Sequence, residues 1–125
     1  MEYTEYKEYI SKIGNIRIEY KLNDIDCIAH MDFVNYNPEY IKMFLLTLKT
    51  SIEDLKKCGI KKIIQKVSNN DWNEYLKKEE KWTLKEINED LEYCIIECDI
   101  DNIFYCIAKG LGIYEGHTDY KTIIE

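Results

Sequence analysis

Glu19 and His30 are the side chains of this sequence best suited to acid–base chemistry. Residues 16–22 alternate strictly between apolar and polar, which predicts a strand with Glu19 on its polar face. Asn23 and Asp24 suit a two-residue turn into a second strand, a register that places His30 opposite an arginine. A histidine that titrates near neutral pH, or a glutamate that polarises a water, can accept a proton. A surface role is the alternative, because neither side chain has a partner visible in the sequence.

The cysteines indicate neither a disulfide framework nor a metal site. Their number, five, is odd and they form no CxxC pair, which argues against a secretory disulfide pattern. Cys94 and Cys98 would share one face of a strand or helix, but two thiols without a nearby histidine make a poor zinc site. We therefore predict buried structural cysteines and no metal. The sequence also contains no Ser-His-Asp order, Cys-His pair or glycine-rich phosphate loop.

Length and charge exclude several classes of function. A chain of 125 residues is expected to form one domain. Its formal charge of −7 argues against general nucleic-acid binding, which needs a basic face to neutralise phosphates. No apolar run approaches the roughly eighteen residues of a membrane span, and the charged start does not resemble a signal peptide. We therefore expect a cytoplasmic protein in a reducing compartment.

The amino-terminal segment, residues 2–13, is predicted to be a helix that ends at Gly14. Four apolar residues recur at helical spacing: Tyr3, Tyr6, Ile10 and Ile13. This stripe is either a face that binds a partner, since tyrosine is favoured in interfaces, or the side by which the helix packs on its own domain.

A long helix and a central strand are predicted after the hairpin. Asn37 caps the helix, Pro38 takes its first position and Gly59 ends it, so that it spans residues 40–58. The run IKKIIQKV follows as a strand, and its adjacent isoleucines indicate burial on both faces. A strand, a helix and a strand of these lengths form the crossover that parallel strands need.

The last third of the chain is predicted to hold a short helix, an ambiguous segment and a closing helix. The short helix covers residues 70–81. Residues 83–92 fit either a helix with a capping box or a hairpin into the apolar run 91–98, and two strands are the favoured interpretation. Apolar residues line one face of a helix over residues 100–111. The tail, residues 113–125, is predicted as an edge strand or a mobile segment.

This order of elements resembles the acyl-CoA N-acyltransferase (GNAT-like) family over residues 16–98. In that family a splayed strand leads through a loop into a long helix and a returning strand, and a short helix then ends in an aromatic residue before a hairpin. Here FVNYNPEY matches the strand exit, GIKKIIQKV the returning strand, and Lys81 and Trp82 the aromatic end. The resemblance implies an α/β (α+β) fold, a single domain with a mixed, mainly antiparallel sheet flanked by helices.

The resemblance also implies where acetyl-CoA would bind. The groove would open between residues 31–35, at the end of the splayed strand, and residues 67–70, near the end of the returning strand. Four residues would contact the cofactor there: Asn35, Asn37, Tyr40 and Asn70. In the family, a glycine-rich loop at the start of the long helix wraps the pyrophosphate with its amides. That loop is absent, because no glycine lies between Gly14 and Gly59.

The candidate catalytic residues are Tyr75, to which the resemblance points, and Glu19 and His30, which their chemistry suggests. The family often uses a tyrosine of the short helix as general acid, but Lys77 occupies that position and Tyr75 lies two residues away, where a packed aromatic is its alternative role. Glu19 or His30 would be the base that takes a proton from an amine.

Two functions are compatible with these observations. The first is a GNAT-like protein that is not catalytic, needs no cofactor and acts by binding another protein. The alternative is a divergent N-acetyltransferase that depends on acetyl-CoA. The abundance of isoleucine and lysine, with Arg17 as the single arginine, indicates an AT-rich genome, and a viral or phage origin would suit the first function.

Overall fold

The structure is a computed structural model that describes residues 2–74, 76–78 and 81–110. Six strands form one sheet: β1 (Glu5–Ser11), β2 (Ile16–Asn23), β3 (Ile28–Asn35), β4 (Lys62–Ser68), β5 (Thr83–Asn88) and β6 (Tyr93–Asp99). The helices described are α1 (Ile41–Lys57), α2 (Asn69–Glu74) and α3 (Ile100–Gly110). Two 3-10 turns cover Pro38–Tyr40 and Leu76–Lys78.

The sheet has the strand order β1-β2-β3-β4-β6-β5. Neighbouring strands are antiparallel except β3 and β4, which run parallel. The helix α1 makes the crossover between these two strands, as a parallel connection requires. The predicted α/β (α+β) fold with a mixed, mainly antiparallel sheet is therefore confirmed.

The core lies between one face of the sheet and the two longer helices. Every second residue of β2 is buried: Ile16, Ile18, Tyr20 and Leu22. The helix α1 contributes a matching stripe: Phe44, Leu45, Leu48, Ile52 and Leu55. The buried Tyr20 hydroxyl lies 2.8 Å from Ser51 Oγ of α1. The helix α3 covers the same face, because its Cys106 contacts Cys98, which pairs with the core residue Ile63.

The amino-terminal segment is a strand, and the predicted helix over residues 2–13 is wrong. The four residues of the predicted stripe are all exposed: Tyr3 by 40%, Tyr6 by 51%, Ile10 by 60% and Ile13 by 58%. Instead, Lys7 and Tyr9 face α1, where both side chains contact Asp54, Lys7 at 3.1 Å. β1 pairs with β2 along its whole length, and this pairing makes the segment a strand. Its side chains therefore alternate between the two faces of the sheet every second residue.

The β2–β3 hairpin is confirmed, but its predicted two-residue turn is wrong. The turn has four residues, 24–27. Asn23 stabilises it, since its Oδ1 accepts the Asp26 N–H at 3.0 Å. The longer turn shifts the register, so that His30 lies opposite Lys21 and not opposite the arginine. An asparagine side chain that bonds to backbone nearby thus selected a turn that the dipeptide alone does not indicate.

The predicted long helix and central strand are confirmed. The helix α1 begins at Ile41, after a 3-10 turn that Asn37 caps, and it ends before Gly59, whose φ is 86°. The strand β4 lies between β3 and β6, and its adjacent Ile63 and Ile64 are both buried.

Later elements also follow the sequence closely. Residues 83–92 form β5 and the turn into β6, so the favoured hairpin is confirmed. The helix α3 occupies most of the predicted range 100–111. The short helix predicted over 70–81 consists of α2 and a 3-10 turn. The predicted edge strand or mobile tail, residues 113–125, lies outside the described residues.

Candidate functional site

The parallel strands β3 and β4 separate after three residue pairs. Residues 28–30 pair with 62–64, and beyond them β3 bonds to β2 while β4 bonds to β6. The opening lies where the sequence predicts a groove. Diverging strands leave backbone groups on their facing edges, and an extended ligand can pair with such groups. Gln65 bridges the base of the opening, since its Nε2 lies 3.2 Å from Met31 Sδ.

Asn35 ends β3 and Asn37 caps the following 3-10 turn, and both bond to protein backbone. Asn37 Oδ1 accepts the Glu39 N–H at 3.0 Å, and the Asn37 carbonyl accepts the Tyr40 N–H at 2.8 Å. Asn35 donates from Nδ2 to the Asn15 carbonyl at 3.0 Å. Both asparagines therefore stabilise loops, and two amides that precede α1 are already hydrogen-bonded within the protein.

Tyr40 is held by the turn between β1 and β2. Gly14 in this turn has a φ of 80°, and its carbonyl accepts the Asn37 N–H at 3.3 Å. A Cβ at Gly14 would lie only 2.6 Å from Tyr40 Cβ. On the adjoining loop, Tyr36 stacks on Phe44 of α1, with ring centroids 4.2 Å apart. The turn thus closes one side of the start of α1, a contact that sequence reasoning missed.

The charges at the start of α1 give an anion no net attraction. A helix amino terminus attracts anions through its dipole and its unbonded amides. Here Glu39 places an exposed carboxylate in the turn that precedes the helix, and Lys42 is the exposed cation that follows it. Asn37 engages two amides of the preceding turn, whereas Tyr40, the residue at the N-cap of α1, makes no side-chain cap hydrogen bond.

Asn70, the predicted cofactor contact at the start of α2, is exposed. Its neighbour Asn69 makes the hydrogen bonds to the β5–β6 hairpin instead. The Cys94 thiol lies 2.8 Å from Asn69 Oδ1, and Asn69 Nδ2 donates to the Asn88 carbonyl at 3.5 Å. Asn69 therefore ties α2 to the β5–β6 hairpin, and the sequence doublet gave no signal to choose between the two asparagines. The proposed acid Tyr75 lies outside the described residues.

Glu19 is part of an ion-pair network on the sheet face opposite α1 and α3. The Arg17 guanidinium lies 2.6 Å from the carboxylates of both Glu8 and Glu19. The hydrogen bond with Tyr6 holds the pKa of Glu19 below its ordinary value, and the charge of Arg17 lowers it too. The carboxylate is therefore stabilised in its ionised form, which makes it a weaker base.

His30 lies at the point where β3 and β4 separate, in the last parallel pair, beside Ile64. Burial lowers the pKa of His30 from its ordinary 6.5, so the imidazole is neutral at neutral pH. Its Nδ1 lies 2.7 Å from the Tyr3 hydroxyl. In the Nε2-protonated tautomer, Nδ1 accepts that hydroxyl proton and is engaged. His30 and Glu19 share one face of the sheet, but each is held by different partners.

The described part of the chain shows no features of a metal site or of a membrane-spanning helix. There, no group of three or more histidine, cysteine or acidic residues could hold a metal ion. Within the same residues, no helix has the length and apolar character needed to cross a membrane. Cys94 and Cys98 are each 1% exposed, so their predicted burial is confirmed.

Solved structures of acetyltransferases share this fold. Tetrahymena GCN5 matches with a TM-score of 0.52 and 14% identity over 76% of this chain and 68% of its own. Nourseothricin acetyltransferase gives a TM-score of 0.53 and 10% identity over 73% of this chain and 62% of its own. A Klebsiella pneumoniae protein assigned as an acyl-CoA N-acyltransferase gives 0.51 and 10%, over 76% and 71%. No family model and no curated protein sequence matches the chain.

These likenesses confirm the GNAT-like fold that the order of elements indicates. Identities of 10% to 14% establish the fold alone. The chain spans 62% to 71% of the lengths of these three proteins.

Proposed function

We propose that this GNAT-like protein acts by binding another protein and does not use acyl-CoA as a substrate. The observation that carries the proposal is the closed start of α1, where Asn37 accepts two amides and Gly14 packs against Tyr40. In the family that the chain resembles, the amides of a glycine-rich loop hold the pyrophosphate at this place. A pyrophosphate that used these two amides would have to displace Asn37, in a turn that also carries the Glu39 carboxylate.

The partner surface that we propose is the sheet face opposite α1 and α3, which we call the open face. It consists of the residues of the first three strands that share this face, with a β-bulge between the last two: Tyr6, Glu8, Ile10, Arg17, Glu19, Lys21, His30 and Phe33. Tyr6, Ile10 and Phe33 are 51%, 60% and 46% exposed. Tyrosine, phenylalanine and arginine are enriched at protein interfaces, which supports this choice of surface.

The charges of the open face favour a partner that combines apolar side chains with a cation. Arg17 is paired with Glu8 and Glu19, and Lys21 Nζ lies 3.7 Å from Asp32. Three carboxylates and two cations leave one net negative charge, which a cationic side chain of the partner would neutralise on burial. The net charge of −7 favours a neutral or basic rim on that partner.

Carboxylates introduced on the open face test the proposal. Tyr6→Glu and Ile10→Glu charge two exposed apolar positions, whereas Ile25→Glu charges an isolated isoleucine, 85% exposed, in the β2–β3 turn. We expect one cross-linked complex, formed in a lysate of the source cells, with the wild type and Ile25→Glu. Each open-face variant should reduce it about tenfold. Equal capture by all four folded proteins, or no specific complex with the wild type, contradicts the proposal.

A divergent N-acyltransferase is the second candidate, and the separation of β3 and β4 favours it. The opening presents residues 31–35 and 65–68 to an extended ligand, and His30 at its apex is neutral. In this case acetyl-CoA should shift the backbone amide resonances of both segments in an NMR titration. Unchanged resonances at millimolar acetyl-CoA would eliminate this candidate.

A further inference from the structure

Cys98 and Cys106 form a pair of buried thiols between the sheet and α3. Cys98 is the penultimate residue of β6, and Cys106 lies in the middle of α3. The two Sγ atoms are 3.6 Å apart, and the residues are only 1% and 6% exposed. Between them β6 leads directly into α3, and the Ile100 N–H donates to the Lys61 carbonyl at 2.9 Å.

We propose that Cys98 and Cys106 close a reversible disulfide when the protein meets hydrogen peroxide, and that this bond fastens α3 to the sheet. A disulfide needs sulfur atoms about 2.05 Å apart. The two Sγ atoms are 3.6 Å apart, so the bond requires them to approach by about 1.5 Å. The other thiols are placed differently, since Cys94 bonds to Asn69 and the remaining two lie nearer the surface.

The oxidation balances with peroxide as the oxidant. One thiolate attacks a peroxide oxygen, and the O–O bond breaks to give a sulfenic acid and one water. The second thiol attacks the sulfenic sulfur, the S–S bond forms, and the hydroxyl leaves as a second water. The two thiols lose two protons and two electrons, and the peroxide is reduced to two waters.

Burial limits the access of peroxide to both thiols. Cys98 and Cys106 are buried, so peroxide reaches them only when α3 opens locally. The hydrogen bond with Cys106, followed by burial, raises the pKa of Cys98. Cys98 therefore forms little thiolate at neutral pH, so the bond closes only under sustained exposure to peroxide.

The consequence is a covalent link between adjacent elements. α3 already contacts α1 through an ion pair between Lys56 and Asp101 at 2.5 Å. A disulfide between Cys98 and Cys106 adds a covalent link from α3 to β6. It closes a short loop in the unfolded chain as well, so it should raise the melting temperature by several degrees.

A variant without the two more accessible cysteines, Cys27→Ser/Cys58→Ser, allows the buried thiols to be followed alone. After peroxide treatment we expect the thiols titrated in denaturant to fall from three to one, because five cysteines less two leave three. The mass should fall by about 2 Da, and dithiothreitol should restore it. Adding Cys106→Ser should abolish the change, whereas Cys94→Ser should not.

The Cys27→Ser/Cys58→Ser protein, which we call the parent, keeps the test decisive if a variant with a third serine fails to fold. Peptide mapping of the oxidised parent should recover Cys98 linked to Cys106. The proposal is overturned if all three thiols survive a treatment that oxidises the exposed Cys58 of the wild type. A disulfide that includes Cys94, or an unchanged melting temperature after oxidation, overturns it as well.

Discussion

Replacing Gly14 by alanine tests whether the β1–β2 turn closes the start of α1. Gly14 has a φ of 80°, a left-handed conformation that costs an alanine about 1 kcal/mol. The new Cβ would also lie 2.6 Å from Tyr40 Cβ and 2.9 Å from Tyr40 Cγ. Overpacking of this kind costs about 1–3 kcal/mol. We therefore expect Gly14→Ala to lower the free energy of unfolding by about 2–4 kcal/mol in total.

Gly59→Ala is the matched control, because it shares the backbone conformation and lacks the contact. Its φ is 86°, and no atom lies within 4 Å of a Cβ placed there. It should cost about 1 kcal/mol, so that the difference between the variants measures the approach of Gly14 to Tyr40. Urea unfolding followed by circular dichroism gives both values, provided that the m-values agree. A Gly14→Ala cost no larger than that of Gly59→Ala would refute the reasoning.

Three further substitutions probe the core, a buried hydrogen bond and the response to acid. Ile63→Ala, at a fully buried site in the central strand, should cost about 2–5 kcal/mol in urea unfolding, and a neutral effect would contradict the assigned core. Tyr20→Phe removes the hydroxyl that bonds to Ser51 and should cost about 1 kcal/mol, whereas a stabilising effect would argue against that bond. The hydrogen bond from Tyr9 lowers the pKa of Asp54, so the stability it gives is present above the ordinary value of 3.8 and is lost as pH falls through the folded-state pKa. Urea midpoints measured across acidic pH should therefore fall less steeply for Asp54→Asn than for the wild type, and parallel curves would show that Asp54 is not the group involved.

Much of the fold could be predicted because it depends on neighbours in the sequence. The alternation of residues 16–22 predicts β2, and the Asn37 and Pro38 pair predicts the start of the long helix. The adjacent Ile63 and Ile64 predict a strand that is buried on both faces. Each of these signals is local, and each corresponds to an element of the structure.

The strand β1 could not be predicted in this way. Its inward side chains are Lys7 and Tyr9, and both contact Asp54, which is 47 and 45 residues away. Polar residues that turn inward hide the strand period, while the outward Tyr6 and Ile10 imitate the spacing of a helix. The structure of an edge strand of this kind depends on partners that the local pattern does not contain.

The sequence predicted where the candidate site lies better than it predicted what the residues there do. The opening of β3 and β4 and the cap at Asn37 lie where the sequence indicates them. The contact between Gly14 and Tyr40 joins distant residues, and no periodic pattern encodes it. The acid role of Tyr75, acetyl-CoA binding, the cytoplasmic location and the viral or phage origin stay predictions.

Calorimetric titration with acetyl-CoA tests most directly the claim that the closed start of α1 excludes a pyrophosphate. 3′-Dephospho-CoA serves as the comparison ligand, because it keeps the pyrophosphate and lacks the 3′-phosphate. We expect no saturable heat from either ligand at millimolar concentration. Saturable binding of both ligands with micromolar affinity would contradict the claim and make the N-acyltransferase the leading function.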